Sequence, residues 1–169
     1  MILSDSALEH ALKAGHLKVV DELGISGSGP RVRPEHISED GRLQPASIDL
    51  SLGTEFALWA SEGEVINFAK PADSFPRMQI IKGRDIFAIP PRGFALATTL
   101  ERVTLAARYV GRVEGRSSLG RVGLIVHSTA GFIDPGFDGQ ITLELVNHSP
   151  HWMQFVPGMG ICQLAVEEV

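Results

Sequence analysis

Within six consecutive residues, Arg116-Ser117-Ser118-Leu119-Gly120-Arg121 places two guanidinium groups, two hydroxyls and a flexible glycine. Arginine forks and exposed amides match the oxygens of a polyanion such as a triphosphate. His127-Ser128-Thr129-Ala130-Gly131-Phe132-Ile133-Asp134-Pro135-Gly136-Phe137 and Gln140-Ile141-Thr142-Leu143-Glu144 follow, and they add two acids, Asp134 and Glu144. A segment that only binds phosphate has no use for carboxylates, which repel it. These two must face another part of the ligand or a reacting water. The pattern points to catalysis on an anionic substrate.

The rest of the chain has to position that segment. Its 169 residues match the length of one domain, and a chain of that size buries a sizeable core without staples. The single cysteine, Cys162, excludes an internal disulfide and a multi-cysteine metal site; flanked by Ile161 and Leu164, it reads as a buried core thiol. The sequence has no long apolar run, and its start, Met1-Ile2-Leu3-Ser4-Asp5, is unlike a signal peptide, so a cytoplasmic protein without a membrane partner is expected. Fifteen basic against twenty acidic residues give a formal charge of −5. That balance argues against nucleic acid as a partner, but Arg112, Arg116 and Arg121 still form a local cluster suited to a small anion. The six histidines are too scattered for a compact metal-ligand set.

A short helix is expected at the start: Ser6 and Glu9 have capping-box spacing, Leu8 and Leu12 recur at i,i+4, and Gly15 marks the end. Ser26 to Gly41 reads as a surface loop opening with Ser26-Gly27-Ser28-Gly29-Pro30. Short strand-like runs follow at 47–52, 54–59, 78–81, 94–98, 109–113, 123–127, 141–147, 152–155 and 161–166, with tight turns expected at Asp138-Gly139 and Pro157-Gly158. Such spacing predicts an all-β barrel or sandwich. In Ile141-Thr142-Leu143-Glu144-Leu145, alternation puts the apolar residues on one face and Thr142 and Glu144 on the other.

Several ordered motifs carry a family resemblance. They are the N-terminal Met1–Asp5, Leu43-Gln44-Pro45-Ala46-Ser47-Ile48-Asp49-Leu50, Phe94-Ala95-Leu96-Ala97-Thr98-Thr99-Leu100-Glu101, the Arg116–Arg121 and His127–Glu144 segments, Pro157-Gly158-Met159 and Gln163. Together they resemble the dCTP deaminase branch of the trimeric dUTPase-like family. The resemblance implies a distorted β-barrel with a short N-terminal helix, one domain over 1–169, and a homotrimer with each nucleotide site built from neighbouring subunits. It also implies deamination without zinc. The residues support that independently, because zinc-dependent nucleobase deaminases need a Cys-x-x-Cys pair that one cysteine cannot supply.

By the same resemblance, Glu144 is the general acid/base at the cytosine ring, Ser117 positions the attacking water with the Ala130 carbonyl as a second anchor, and Arg121 supports the site. Arg116 and Ser118 contact phosphates, with Leu119 and Gly120 completing that segment. Asp134 meets the deoxyribose; Thr142, Leu143 and Gln163 are further nucleotide contacts. Plainer readings stand beside these: a solvated strand Glu, a polar Arg-Ser-Ser turn, a turn Asp and a strand-end Gln. His127 reads as structural. Gly131-Phe132 resembles the pair found in bifunctional members that carry dCTP through to dUMP, where a small residue would leave room for a second water. Mg²⁺ is expected through the triphosphate, with dCTP and dUTP as substrates and dTTP raised as an inhibitor. After Gln163 only Leu164 to Val169 follow, whereas the family carries a further lid segment with Tyr, Lys and Gln, so a domain without that lid is expected. Alternatives are a deaminase stopping at dUTP, a plain dUTP diphosphatase, and a catalytically silent nucleotide-binding trimer.

Overall fold

The computed structural model describes residues 1–21, 41–61, 63–72, 75–83, 85–127 and 129–169. All but the last residue of the Ser26–Gly41 segment therefore lies outside the described residues. Helix α1 (Asp5–Lys13) buries Leu8, Ala11 and Leu12, the stripe that the i,i+4 spacing predicts. Its N-cap is Ser4, not Ser6: the Ser4 Oγ accepts the Ala7 N–H at 3.4 Å, a capping role that satisfies an orphan donor. Gly15, at φ +72°, follows the helix end as expected.

The remainder is antiparallel sheet: β1 (Leu17–Asp21), β2 (Leu43–Gln44), β3 (Ser47–Trp59), β4 (Met78–Lys82), β5 (Phe87–Ile89), β6 (Phe94–Leu105), β7 (Tyr109–Gly115), β8 (Leu124–Val126), β9 (Phe132–Ile133), β10 (Asp138–Asn147), β11 (Met153–Phe155) and β12 (Gly160–Glu168), with one helical turn, α2 (Ser117–Gly120). The main sheet runs β8-β10-β6-β3-β12-β7-β9, with β1 on β6 and β2 and β4 on β3; β11 pairs with β5. It curls into a half-barrel around a core that includes Leu50, Leu52, Leu143, Leu145, Ile161 and Leu164, all fully buried. The all-β expectation holds.

Three sequence expectations are corrected. The runs 47–52 and 54–59 form one strand, because Gly53 is a point of close backbone approach: a Cβ there would lie 2.8 Å from the Thr98 carbonyl oxygen. Beyond it the β3–β6 register shifts, between Leu52 and Phe56, so the glycine marks a bulge within a strand that changes partners. Asp138-Gly139 is ladder rather than turn, opposite Thr104 and Val103; the Asp138 carboxylate accepts from Arg102 Nε at 2.9 Å and Thr104 Oγ1 at 2.8 Å. The turn falls instead at Gly136, φ +81°. Strands β1, β2, β5 and β9 had no counterpart in the sequence reading. The expected Pro157-Gly158 turn is present, with Gly158 at φ +88°, and Cys162 is buried; burial pushes its thiol well up.

Candidate active site

Strand β10 carries the acid. Its pairing with β6 sets Thr142 opposite Thr98 and Glu144 opposite Leu96. Ile141, Leu143 and Leu145 are buried, Thr142 is exposed and Glu144 partly so, as alternation requires. The register slips between Gln140 and Thr142. At this bulge the Ile141 N–H donates to Thr99 Oγ1 at 2.9 Å, Gln140 Nε2 donates to the Thr99 and Leu100 carbonyls at 2.9 and 3.2 Å, and the Thr99 hydroxyl donates to the Glu101 carbonyl at 2.8 Å. A bulge tied in this way re-aims the residues beyond it. Here those residues are Thr142 and Glu144.

The aimed face closes an open cleft of about 390 Å³ lined by Ala130, Phe132, Asp134, Thr142 and Glu144, with Leu96, Ile133, Phe137 and Ile141 among its walls. Five of the residues named from sequence therefore meet in one place. The apolar walls suit a flat ring, and the two carboxylates offer acceptors to it and to a sugar hydroxyl. Leu143 is fully buried, so only its backbone can face a ligand.

His127 also lines this cleft. Its N–H donates to the Glu144 carbonyl at 2.9 Å, its backbone sits at φ +57°, and its Nδ1 is buried without a hydrogen-bond partner among the described residues. Burial holds the imidazole below its ordinary pKa, and the Glu144 charge pulls the other way. The structure thus places a residue read as structural against the candidate acid/base. Gly131 has a steric requirement of its own: a Cβ there would lie 2.8 Å from the Val113 carbonyl oxygen, while the Val113 N–H donates to the Gly131 carbonyl at 2.7 Å. Close approach to β7 demands glycine whether or not a second water uses the space.

Arg116, Ser117, Ser118, Arg121 and Gln163 do not line the cleft around Glu144. They gather where β7 runs into α2, beside β12. Ser117, Ser118, Gly120 and Arg121 are exposed, and Leu119 packs partly against the core. Arg116 Nη2 lies 3.5 Å from Asp49 Oδ2, and Gln163 Nε2 donates to Asp49 Oδ1 at 3.0 Å. Within one chain the expected site is therefore two separate halves, an acid-bearing cleft and an arginine-serine shelf. Sequence reasoning gave Asp49 no role; its position opposite Gln163 in the β3–β12 ladder is a tertiary fact that spacing does not carry.

The profile of the dCTP deaminase-like family matches residues 2–169. Among similar proteins, the dCTP deaminase, dUMP-forming, of Dictyoglomus thermophilum is 41% identical over 98% of this chain and 79% of its own length. The protein of that name from Corynebacterium kroppenstedtii is 40% identical over 98% of this chain and 81% of its own. Among solved structures, the 2'-deoxycytidine 5'-triphosphate deaminase from Agrobacterium tumefaciens superposes with a TM-score of 0.67 at 19% identity, over 99% of this chain and 48% of that one, and it shares the fold. On the match across nearly its whole length, with the relatives at this identity, the chain belongs to the dCTP deaminase-like family.

Proposed function

We propose that this protein deaminates dCTP at C4 of cytosine and carries the product on to dUMP by releasing diphosphate. The observation that carries the proposal is the cleft that brings Glu144 and Asp134 together over apolar walls, apart from the Arg116–Arg121 shelf. The relatives at 41% and 40% identity, both named dUMP-forming, support the second step. Glu144 accepts a proton from water as its oxygen bonds to C4, and delivers that proton to N3. The C4–N4 bond then breaks, with a proton passed to the departing amine, and ammonia and the uracil ring result. Ser117 and the Ala130 carbonyl hold the water. Asp134 accepts a hydrogen bond from the 3′-hydroxyl, and Arg116, Ser118 and Arg121 bind the triphosphate. Release of dUMP needs a second water to attack the α-phosphorus and break its bond to the bridging oxygen of diphosphate.

The two halves join if neighbouring copies supply them, so the working unit is a homotrimer of single domains spanning 1–169, in the cytoplasm. Mg²⁺ enters with the triphosphate and neutralises phosphate charge. The described residues hold no cluster of three or more His, Cys, Asp or Glu that could hold it alone, and the polar side chains on the shelf suit phosphate oxygens instead. Zinc is assigned no role, since the single cysteine cannot supply the Cys-x-x-Cys pair of the zinc-dependent nucleobase deaminases. A dTTP molecule competes for the same cleft. No helix among the described residues is long and apolar enough to cross a membrane.

Incubating the protein with dCTP and Mg²⁺ and resolving the products by ion exchange tests the function. Ammonia, dUMP and diphosphate are expected. Accumulating dUTP would restrict the protein to deamination; unchanged dCTP, with dUTP hydrolysed when supplied, would favour the plain diphosphatase.

A further inference from the structure

Asp49 places a carboxylate within an ion-pair distance of a guanidinium proposed to bind phosphate, where its charge opposes the ligand. The surrounding geometry explains what it does there. In the ladder, Gln163 lies directly between Asp49 and Glu114, so the three side chains share one face, and Arg116 continues that face just past the end of β7. Asp49 is the more enclosed of the pair, 16% exposed against 37% for Arg116. One carboxylate oxygen faces Arg116 Nη2 at 3.5 Å and the other accepts from Gln163 at 3.0 Å. Beneath them, a Cβ on Gly160 would come within 2.0 Å of Arg116 Nη1. The guanidinium lies against the bare backbone of β12, in space that any side chain would fill.

We infer that Asp49 is a positioning residue for the triphosphate: it holds the Arg116 guanidinium and the Gln163 amide in one arrangement, and Gly160 is the cradle that lets the guanidinium lie there. The ion pair runs through Nη2 and the Nη1 edge lies against Gly160, so a phosphate is met by those of the five guanidinium N–H donors that neither contact takes up. A long cationic side chain fixed before the ligand arrives loses less freedom on binding, and that offsets the repulsion from the carboxylate. The inference rests on the proposed role of Arg116 as a phosphate contact.

Calorimetric titration in a Glu144→Gln background, where dCTP survives, tests it with Asp49→Ala, Gly160→Ala and Arg116→Ala. The probes are dCTP with Mg²⁺ and deoxycytidine, which carries no phosphate. Asp49→Ala and Gly160→Ala should each weaken dCTP about tenfold, the scale of a misplaced charged hydrogen bond, and leave deoxycytidine unchanged. Gly160→Ala should not weaken dCTP further once Arg116 is alanine, because it acts through that side chain alone. Gly160 has no positive φ and its close neighbour is the end of a flexible side chain, so its alanine variant should keep the parent melting temperature. If Arg116→Ala leaves dCTP binding intact, the phosphate role of Arg116 fails. If Arg116→Ala weakens dCTP while Gly160→Ala has no effect and Asp49→Ala tightens binding through lost repulsion, the positioning role alone is overturned.

Discussion

Glu144→Gln is expected to lower ammonia release from dCTP by about 10²–10⁴-fold, the range for a positioned general acid/base, while dCTP still binds within a few-fold of the parent affinity. Glutamine keeps the size and a hydrogen-bonding group but cannot exchange a proton with water and ring nitrogen. The substitution should not disturb the fold: Glu144 lies on the partly exposed face of β10, and the bulge ahead of it is tied by Thr99 and Gln140. A variant that loses binding and turnover together would mean that Glu144 holds the nucleotide and does not act on it. Rate and affinity measured separately, by ammonia release and by calorimetry, decide between these outcomes.

Glu101→Ala should destabilise the protein by about 3–5 kcal/mol, as expected when one partner of a buried ion pair is removed. Glu101 is fully buried, with Oε1 2.8 Å from Arg42 Nη1 and Oε2 accepting the Ser51 N–H at 2.9 Å. Truncation strands the Arg42 side chain, only 12% exposed, and an N–H in the middle of β3. Burial pushes the Glu101 carboxyl above the ordinary range, while the Ser51 N–H and Arg42 pull it down. A carboxyl raised in the folded state contributes stability that is complete below the unfolded value of 4.5 and is lost as pH rises through the raised one. Denaturant melts across that window should therefore slope downward for the parent, and Glu101→Gln should flatten the slope. Because the Glu101 carbonyl also accepts from Thr99, which holds the bulge of β10, damage here reaches the aim of Glu144 as well.

Where chemistry follows from local pattern, the sequence was legible. Alternation through Ile141–Leu145 assigned Glu144 to the open face, and the structure has it there. Leu8 and Leu12 marked the buried stripe of α1, and the apolar neighbours of Cys162 marked a core thiol. What escaped depends on partners distant in sequence. Strand β1, which had no counterpart in the sequence reading, holds a fully buried Asp21 opposite Glu101, a burial that only the pairing with β6 reveals. Gly53 reads as a break because glycine ends strands more often than it admits a crossing backbone. Asp138-Gly139 has turn composition, yet Arg102 and Thr104 on the neighbouring strand hold Asp138 in the ladder. The Arg116–Arg121 shelf and the Glu144 cleft lie near each other along the chain but line separate places in one molecule, an arrangement for which the expected site shared between neighbouring subunits leaves room.

That separation makes the composite site the central claim, and mixed assembly tests it directly. Chains carrying Glu144→Gln and chains carrying Ser117→Ala, each nearly inactive alone, would be co-expressed with separate tags and purified as mixed oligomers. If Glu144 of one copy works with Ser117 of its neighbour, random trimers recover about a quarter of the parent sites, and dUMP forms from dCTP. Mixed oligomers as silent as the two parents would contradict the account.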